Sequence, residues 1–297
     1  MAIKYGNLHV DEKYKPTILP NLFYRTWMVP GVTFQDVSTN NAGGWFWHKL
    51  TSSGAAEPGT PGRDFTDEAA ADTLVQAVFN NNFQRSKKIY GVQAAAVAMP
   101  VANEHLGLAI NEVAEGKNLS GIACLVNEGT VSGTTTAITA DNFDKQILAE
   151  RQAVVEAKGV ADVVLCSPAF FATMLEKAGA KYTPTTNEML LAAAAGGQVG
   201  NYLGMTWIEV NGFAHSKDIS YYDFSGTKKT VTAAELKLVD FIMYDHNAFG
   251  AGDNFTMARL RDSERFAGTL AQTEDNVAFK VLEPTVVRVR KHASDAT

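Results

Sequence analysis

The chain has 297 residues, 46% of them hydrophobic and 20% charged, which excludes a wholly disordered chain, a collagen-like repeat and a coiled coil, and leaves room for about two domains. Its 26 Lys and Arg against 32 Asp and Glu give a net charge of −6, a poor balance for gripping nucleic acid through many phosphates. Two cysteines, Cys124 and Cys166, cannot build a disulfide framework and point to a reducing compartment.

Residues 1–7 lack the apolar stretch of a secretory signal. The longest apolar run, residues 94–102, is interrupted by Pro100 and is about half the ~20 residues a membrane helix needs. A soluble, intracellular product with no membrane partner is expected.

Residues 1–36 contain Pro16, Pro20 and Pro30, which favour an extended path. Yet Ile18, Leu19, Leu22, Phe23, Tyr24, Trp27, Met28 and Val29 make the segment too apolar for a disordered tail. It reads as an arm lying across a surface, its own or a neighbour's. Residues 44–50 hold Trp45, Phe46 and Trp47, aromatics that favour a strand. The Gly/Pro-rich loop that follows is centred on residues 54–62. Residues 72–79, continuing to 88–90, fit helix or strand equally. Two strands around such a loop would make a projecting hairpin.

Helical spacing of Val101, Leu106, Leu108, Ala109 and Val113 predicts a helix that starts or is kinked at Pro100 and is closed at Gly116. A Ser/Thr/Gly linker spans residues 129–136. Asp141 is then placed to cap a helix with apolar face Phe143, Ile147, Val154 and Val155, ended by Gly159. Residues 162–166 read as a buried strand, and Ser167-Pro168 as the cap and first residue of a helix carrying Phe170, Phe171, Met174 and Leu175 up to Gly179. Residues 182–187 are a loop, 189–195 a small helix, and 204–210 and 238–244 strands. Residues 279–290 read as one last long strand around Pro284. An α+β fold is indicated.

No chemistry-bearing motif stands out. There is no phosphate loop of the Gly-x-x-x-x-Gly-Lys-Ser/Thr type, and Gly196-Gly197-Gln198-Val199-Gly200 follows a helix rather than a strand. The six histidines include no pair at the spacing of a helical metal site. Asp245 and His246 with Asp253 suggest a site only weakly; a polar strand end and turn is the simpler reading. Cys166, and equally Cys124, suit the core. Arg288, Arg290 and Lys291 read as a solvated face. No catalytic, cofactor-binding or metal residues are assigned, and no cofactor is expected. What remains is apolar area: two or three of Trp45, Phe46 and Trp47 represent about 300–750 Å², of order 8–19 kcal/mol if buried and an upper bound. On a projecting hairpin that is a solubility liability unless another surface covers it.

The order of parts resembles the major capsid protein of tailed bacteriophages, whose capsid fold is shared with encapsulins. The resemblance is carried by Ala161-Asp162-Val163-Val164-Leu165-Cys166-Ser167-Pro168-Ala169-Phe170-Phe171 and by Gly200-Asn201-Tyr202-Leu203-Gly204-Met205-Thr206-Trp207-Ile208-Glu209-Val210-Asn211. It implies an N-terminal arm (1–36), an extended loop hairpin (37–90), a peripheral domain with spine helix (91–136 and 251–297) and an axial domain (137–250). It further implies a structural virion protein that self-assembles, in the host cytoplasm, into pentamers and hexamers of an icosahedral head. Partners would be copies of itself, a portal, a separate scaffolding protein (or none, since the arm begins almost at once) and double-stranded DNA held non-specifically. Leu22, Phe23, Trp27, Trp45, Phe46, Trp47, Tyr182 and Pro184 are the expected assembly-interface residues. The loop lysine crosslinked in some relatives would correspond to Lys49, but its partner asparagine and glutamate have no match, so crosslinking is not expected. An encapsulin-like nanocompartment shell, or a soluble enzyme with an unrecognised site, are the alternatives.

Overall fold

The structure, a computed structural model, describes residues 3–5, 8–10, 26–38, 43–50, 72–91, 101–132, 138–184 and 199–292. The strands of its first third are β1 (Ile3–Tyr5), β2 (Leu8–Val10), β3 (Gln35–Asp36), β4 (Gly44–Leu50), β5 (Asp72–Val78) and β6 (Asn81–Tyr90). Then come α1 (Val101–Glu128), β7 (Thr130–Val131), α2 (Phe143–Glu156), β8 (Val163–Cys166) and α3 (Pro168–Ala178). The remainder is β9 (Thr183–Pro184), β10 (Val199–Tyr202), β11 (Met205–Glu209), β12 (Ile219–Tyr222), β13 (Lys228–Val231), α4 (Ala233–Lys237), β14 (Val239–Tyr244), β15 (Phe249–Asp262), β16 (Gly268–Val281) and β17 (Val287–Lys291).

Two larger sheets organise the molecule. A mixed seven-stranded sheet runs in the order β7-β17-β14-β8-β11-β10-β9, and a four-stranded one in the order β3-β15-β16-β6. The central β8 is buried at all four residues, as a strand covered on both faces must be. Its parallel partner β11 follows only after α3, the expected crossover. Ser167 caps α3 by accepting from the Phe170 amide, with Pro168 at the first helical position. Leu203 and Gly204 both take positive φ, 55° and 77°, making the tight turn that joins β10 to β11. Phe143 of α2 and Phe170 of α3 stack at 5.6 Å, Phe143 lies 6.0 Å from Trp207, and Phe170 lies 5.1 Å from Phe241. These rings lock both helices to one face of the seven-stranded sheet.

Several sequence expectations need correction. Gly116 does not end α1, which runs 28 residues to Glu128. A Cβ at Gly116 would lie 3.2 Å from the Phe83 ring, and one at Gly121 would lie 3.1 Å from Trp27. The glycines let the helix approach its neighbours, which outweighs their helix cost of about 1 kcal/mol each. Asp141 is not a cap: α2 is preceded by Asn142, whose Oδ1 accepts from the Thr139 amide. Val155 is exposed, and Glu150 takes its place on the buried face. Thr130 and Val131 are not linker but the edge strand β7, parallel to β17. Thr183 and Pro184 are likewise an edge strand, where a missing N–H is tolerated. The single long strand expected over 279–290 is two strands in different sheets, β16 and β17, separated by a 3-10 turn at Pro284–Val286. The helix expected at 189–195 falls outside the described residues. Cys124 and Cys166 are free and fully buried, as the sequence suggested. No described helix is long and apolar enough to cross a membrane.

Candidate assembly surfaces

The β4–β5 hairpin forms as expected, with Gly44 opposite Val78 and Leu50 opposite Asp72. Period-two alternation divides it into two faces. Trp45 and Trp47 share the inner face and stack at 6.4 Å; Trp45 packs against Ala77, Phe79 and Ala278. The outer face carries Phe46, Leu74 and Leu50, which are 52%, 52% and 80% exposed. Of the three aromatics at 45–47, therefore, only Phe46 points fully outward. Lys49 forms an ion pair with Glu283, which fastens the hairpin alongside the chain just beyond β16.

The arm residues divide as well. Leu22 and Phe23 lie outside the described residues. Trp27 is 2% exposed within its own molecule, stacked on Phe249 at 6.0 Å, with its indole N–H donating to the Asn118 carbonyl at 3.3 Å. Val29, Phe34 and Val37 are buried with it. Trp27 is thus corrected from an interface residue to a core residue, because α1 provides the surface it covers. Tyr182 is half-buried, with its ring edge-on to Phe171 at 6.0 Å and over Gly200. Pro184 beside it is exposed on edge strand β9. The structure brings Trp45 and Trp47 together and sets Tyr182 with Pro184 on the far edge of the other sheet, so the predicted residues form no single cluster.

Asp253, Asp245 and His246 do not converge. Asp253 pairs with Lys117 at 2.6 Å, and the residue that joins Asp245 and His246 is Asp162. The oxygens of that trio are engaged in holding a turn: Asp162 Oδ1 accepts from the His246 amide, Asp245 Oδ1 from Asn247 and Asp245 Oδ2 from Val160. Arg288 and Arg290 are no solvated face, since both reach Glu150, and Arg290 is 0% exposed.

A groove of about 320 Å³ runs between the arm, α1 and β15, with Met28, Phe34, Ile110 and Val113 on its walls and Lys117, Asp253 and Asp275 at its floor. Lys117 reaches Asp253 at 2.6 Å and Asp275 at 3.0 Å. Burial works against the Lys117 ammonium, yet hydrogen bonds and the charges of Asp253 and Asp275 outweigh it, and its pKa is raised above the ordinary 10.5. Burial pushes the Asp275 carboxyl up as well, since the one ammonium is shared and Asp253 repels it. The folded chain therefore holds the lysine proton more tightly than the unfolded chain does. The stability this confers is complete below pH 10.5 and is lost as pH rises through the folded-state value. The melting-temperature gap between wild type and Lys117→Met should accordingly hold from neutral pH to the lysine range and narrow above it. A gap that stays constant through strongly alkaline pH would exclude this role.

The exposed features are two extended hairpins and an edge. This architecture, a mixed sheet flanked by helices with a long spine helix, a second sheet of long strands and a projecting hairpin, is the α+β fold of tailed-phage major capsid proteins. Solved structures share it over nearly the whole chain. The capsid structure of the cyanophage P-SCSP1u matches at TM-score 0.68 with 10% identity, covering 95% of this chain and 92% of that one. The mature capsid of bacteriophage PhiM1 matches at 0.67 with 11% identity, covering 95% and 92%. A structure from Mycobacterium phage Che8 matches at 0.63 with 15% identity, covering 97% and 98%. No family model and no curated protein matches the sequence.

Proposed function

We propose that this chain is the shell subunit of a tailed-phage head, assembling as pentamers and hexamers into an icosahedral capsid that encloses double-stranded DNA. The observation that carries this reading is the likeness of fold over at least 95% of the chain to capsid structures. The exposed apolar outer face of the β4–β5 hairpin supports it, since such a face on a projecting element needs a covering surface. In this reading residues 1–36 are the arm, 37–90 the extended loop, 91–136 with 251–297 the peripheral domain, and 137–250 the axial domain.

The role is mechanical rather than catalytic. Contacts of modest strength, repeated around closed rings, become stable collectively and remain individually reversible while the shell grows. A scaffolding protein and a portal are the partners such a shell would use during growth. Expression of the chain alone and with candidate scaffold genes, viewed by negative-stain electron microscopy, should give rings or closed particles of uniform size. A strictly monomeric product under every condition, with turnover of a metabolite, would overturn the proposal.

A further inference from the structure

The groove between the arm, α1 and β15 carries more negative charge than its own residues neutralise. Ile110, Val113 and Lys117 follow at helical spacing and form one stripe of α1. That stripe faces Asp253 and Asp275 of the sheet, and Met28 and Phe34 of the arm close the side. Parallel pairing sets Asp36 of β3 opposite Ala251 of β15, and period-two alternation puts Asp36 and Asp253 on one face. Among the described residues lining the groove, three carboxylates, Asp36, Asp253 and Asp275, stand against the one ammonium of Lys117, a net charge of −2.

Two of these carboxylates keep unused capacity. Asp253 Oδ1 accepts from Lys117 at 2.6 Å, and Asp36 Oδ1 accepts from the Ser38 amide at 2.9 Å. Among the described residues, neither Oδ2 accepts a hydrogen bond. Asp275 is fully engaged, with Oδ2 accepting from Lys117 at 3.0 Å and Oδ1 from the Thr256 hydroxyl at 3.3 Å. Burial still holds its carboxyl above the ordinary range, against the pull of Lys117 and with the charge of Asp253 adding to it. A second cation in the groove would relieve that repulsion. Asp36 and Asp253 are offset by two residues on neighbouring strands, about 8 Å between their backbones. The groove, about 320 Å³, lies at the small end of ligand clefts, which run roughly 300–1,000 Å³.

We propose that this groove binds a short α,ω-diamine as its dication, one ammonium on Asp253 and the other on Asp36, with the methylene chain against Met28, Phe34 and Ile110. Charge-assisted hydrogen bonds hold the two ends, and the apolar walls favour a hydrocarbon spacer between them. A divalent metal ion suits the groove poorly, because the Lys117 ammonium already stands between Asp253 and Asp275. An anion is repelled by the net charge. The site goes beyond the shell reading and does not depend on it, since one folded chain supplies every residue it uses.

Isothermal titration calorimetry of the full chain with putrescine, butylamine and butanediol tests this. Putrescine should bind saturably at one site per chain and raise the melting temperature as its concentration rises. Butylamine should bind about tenfold more weakly or worse, having lost one charged hydrogen bond, and butanediol should give no measurable heat. Asp253→Asn should weaken putrescine by a similar factor. Asp36→Asn, at an exposed position where folding is undisturbed, should bring putrescine down to the affinity of butylamine. Asp262→Asn, outside the groove, should leave binding unchanged. Circular dichroism would establish that each variant is folded. Putrescine that does not saturate, or that loses equally to Asp262→Asn and Asp36→Asn, overturns the site. So does a chain that ignores putrescine but self-associates more weakly on Asp36→Asn, because the groove would then take a cationic side chain of a second copy.

Discussion

Replacing Phe46, Leu50 and Leu74 together by serine is expected to abolish particle formation while leaving the subunit folded. All three lie on the outer face of the hairpin, with Leu74 paired to His48 and Leu50 to Asp72, and each is at least half exposed. Fully burying a side chain of this kind is worth about 1.5–3 kcal/mol, so covering the exposed portions gives of order 1–2 kcal/mol apiece for each neighbour contact. Exposed substitutions usually alter subunit stability by no more than about 0.5 kcal/mol each, so the melting temperature should barely move. Repetition around a ring multiplies the loss, which is why assembly responds far more than folding. Trp45→Ala is the informative contrast. Its ring packs inward on Ala77, Phe79 and Ala278, so its loss should loosen the seat of the hairpin and lower stability as well. Normal particle yield from the triple-serine variant would show that the outer face stays in solvent.

What the sequence revealed and what it hid follow one physical division. Signals local to the chain were legible. Ser167-Pro168 makes the cap it spells, the run Val163–Cys166 is a buried strand, and the aromatic strand before a Gly/Pro loop is one arm of a hairpin. Features decided by distant neighbours were not. Gly116 reads as a helix end because only Phe83, brought up from β6, explains a glycine inside α1. Trp27 reads as an adhesive arm residue because the α1 surface covering it lies about 90 positions away. The β15–β16 hairpin is hidden because the distal half of β15 is largely exposed and carries no alternating apolar pattern, although its partner β16 is half-buried to buried throughout. The hairpin's faces were equally hidden: alternation separates Phe46 from Trp45 and Trp47, and only packing on Ala278 decides which side turns inward. Lys88 comes level with Leu270 and Arg261, a proximity that only the β6–β16–β15 register creates.

Arg288 and Arg290 carry the second large effect, through the carboxylate they share. The sequence suggests a solvated cationic edge, but Glu150 projects from the buried face of α2 beside Ile147 and Val154. It meets Arg288 Nε at 3.1 Å and Arg290 Nη1 at 3.6 Å, with Arg290 wholly enclosed. Removing one partner of a buried ion pair leaves a charge that neither water nor a counter-ion stabilises, at a cost of about 3–5 kcal/mol. Glu150→Ala should therefore lower the denaturation midpoint steeply, a large fraction of the 5–15 kcal/mol or so that holds a typical domain. Leu148→Ala, on the exposed side of the same helix, should cost under about 0.5 kcal/mol apart from a small change in helix propensity. The pair itself need not be strongly stabilising, because the attraction is offset by desolvation of both groups. Changing Glu150→Leu and Arg290→Met together should thus cost less than Glu150→Ala alone. If chemical denaturation placed Glu150→Ala level with Leu148→Ala, the carboxylate would have no part in anchoring α2 to β17.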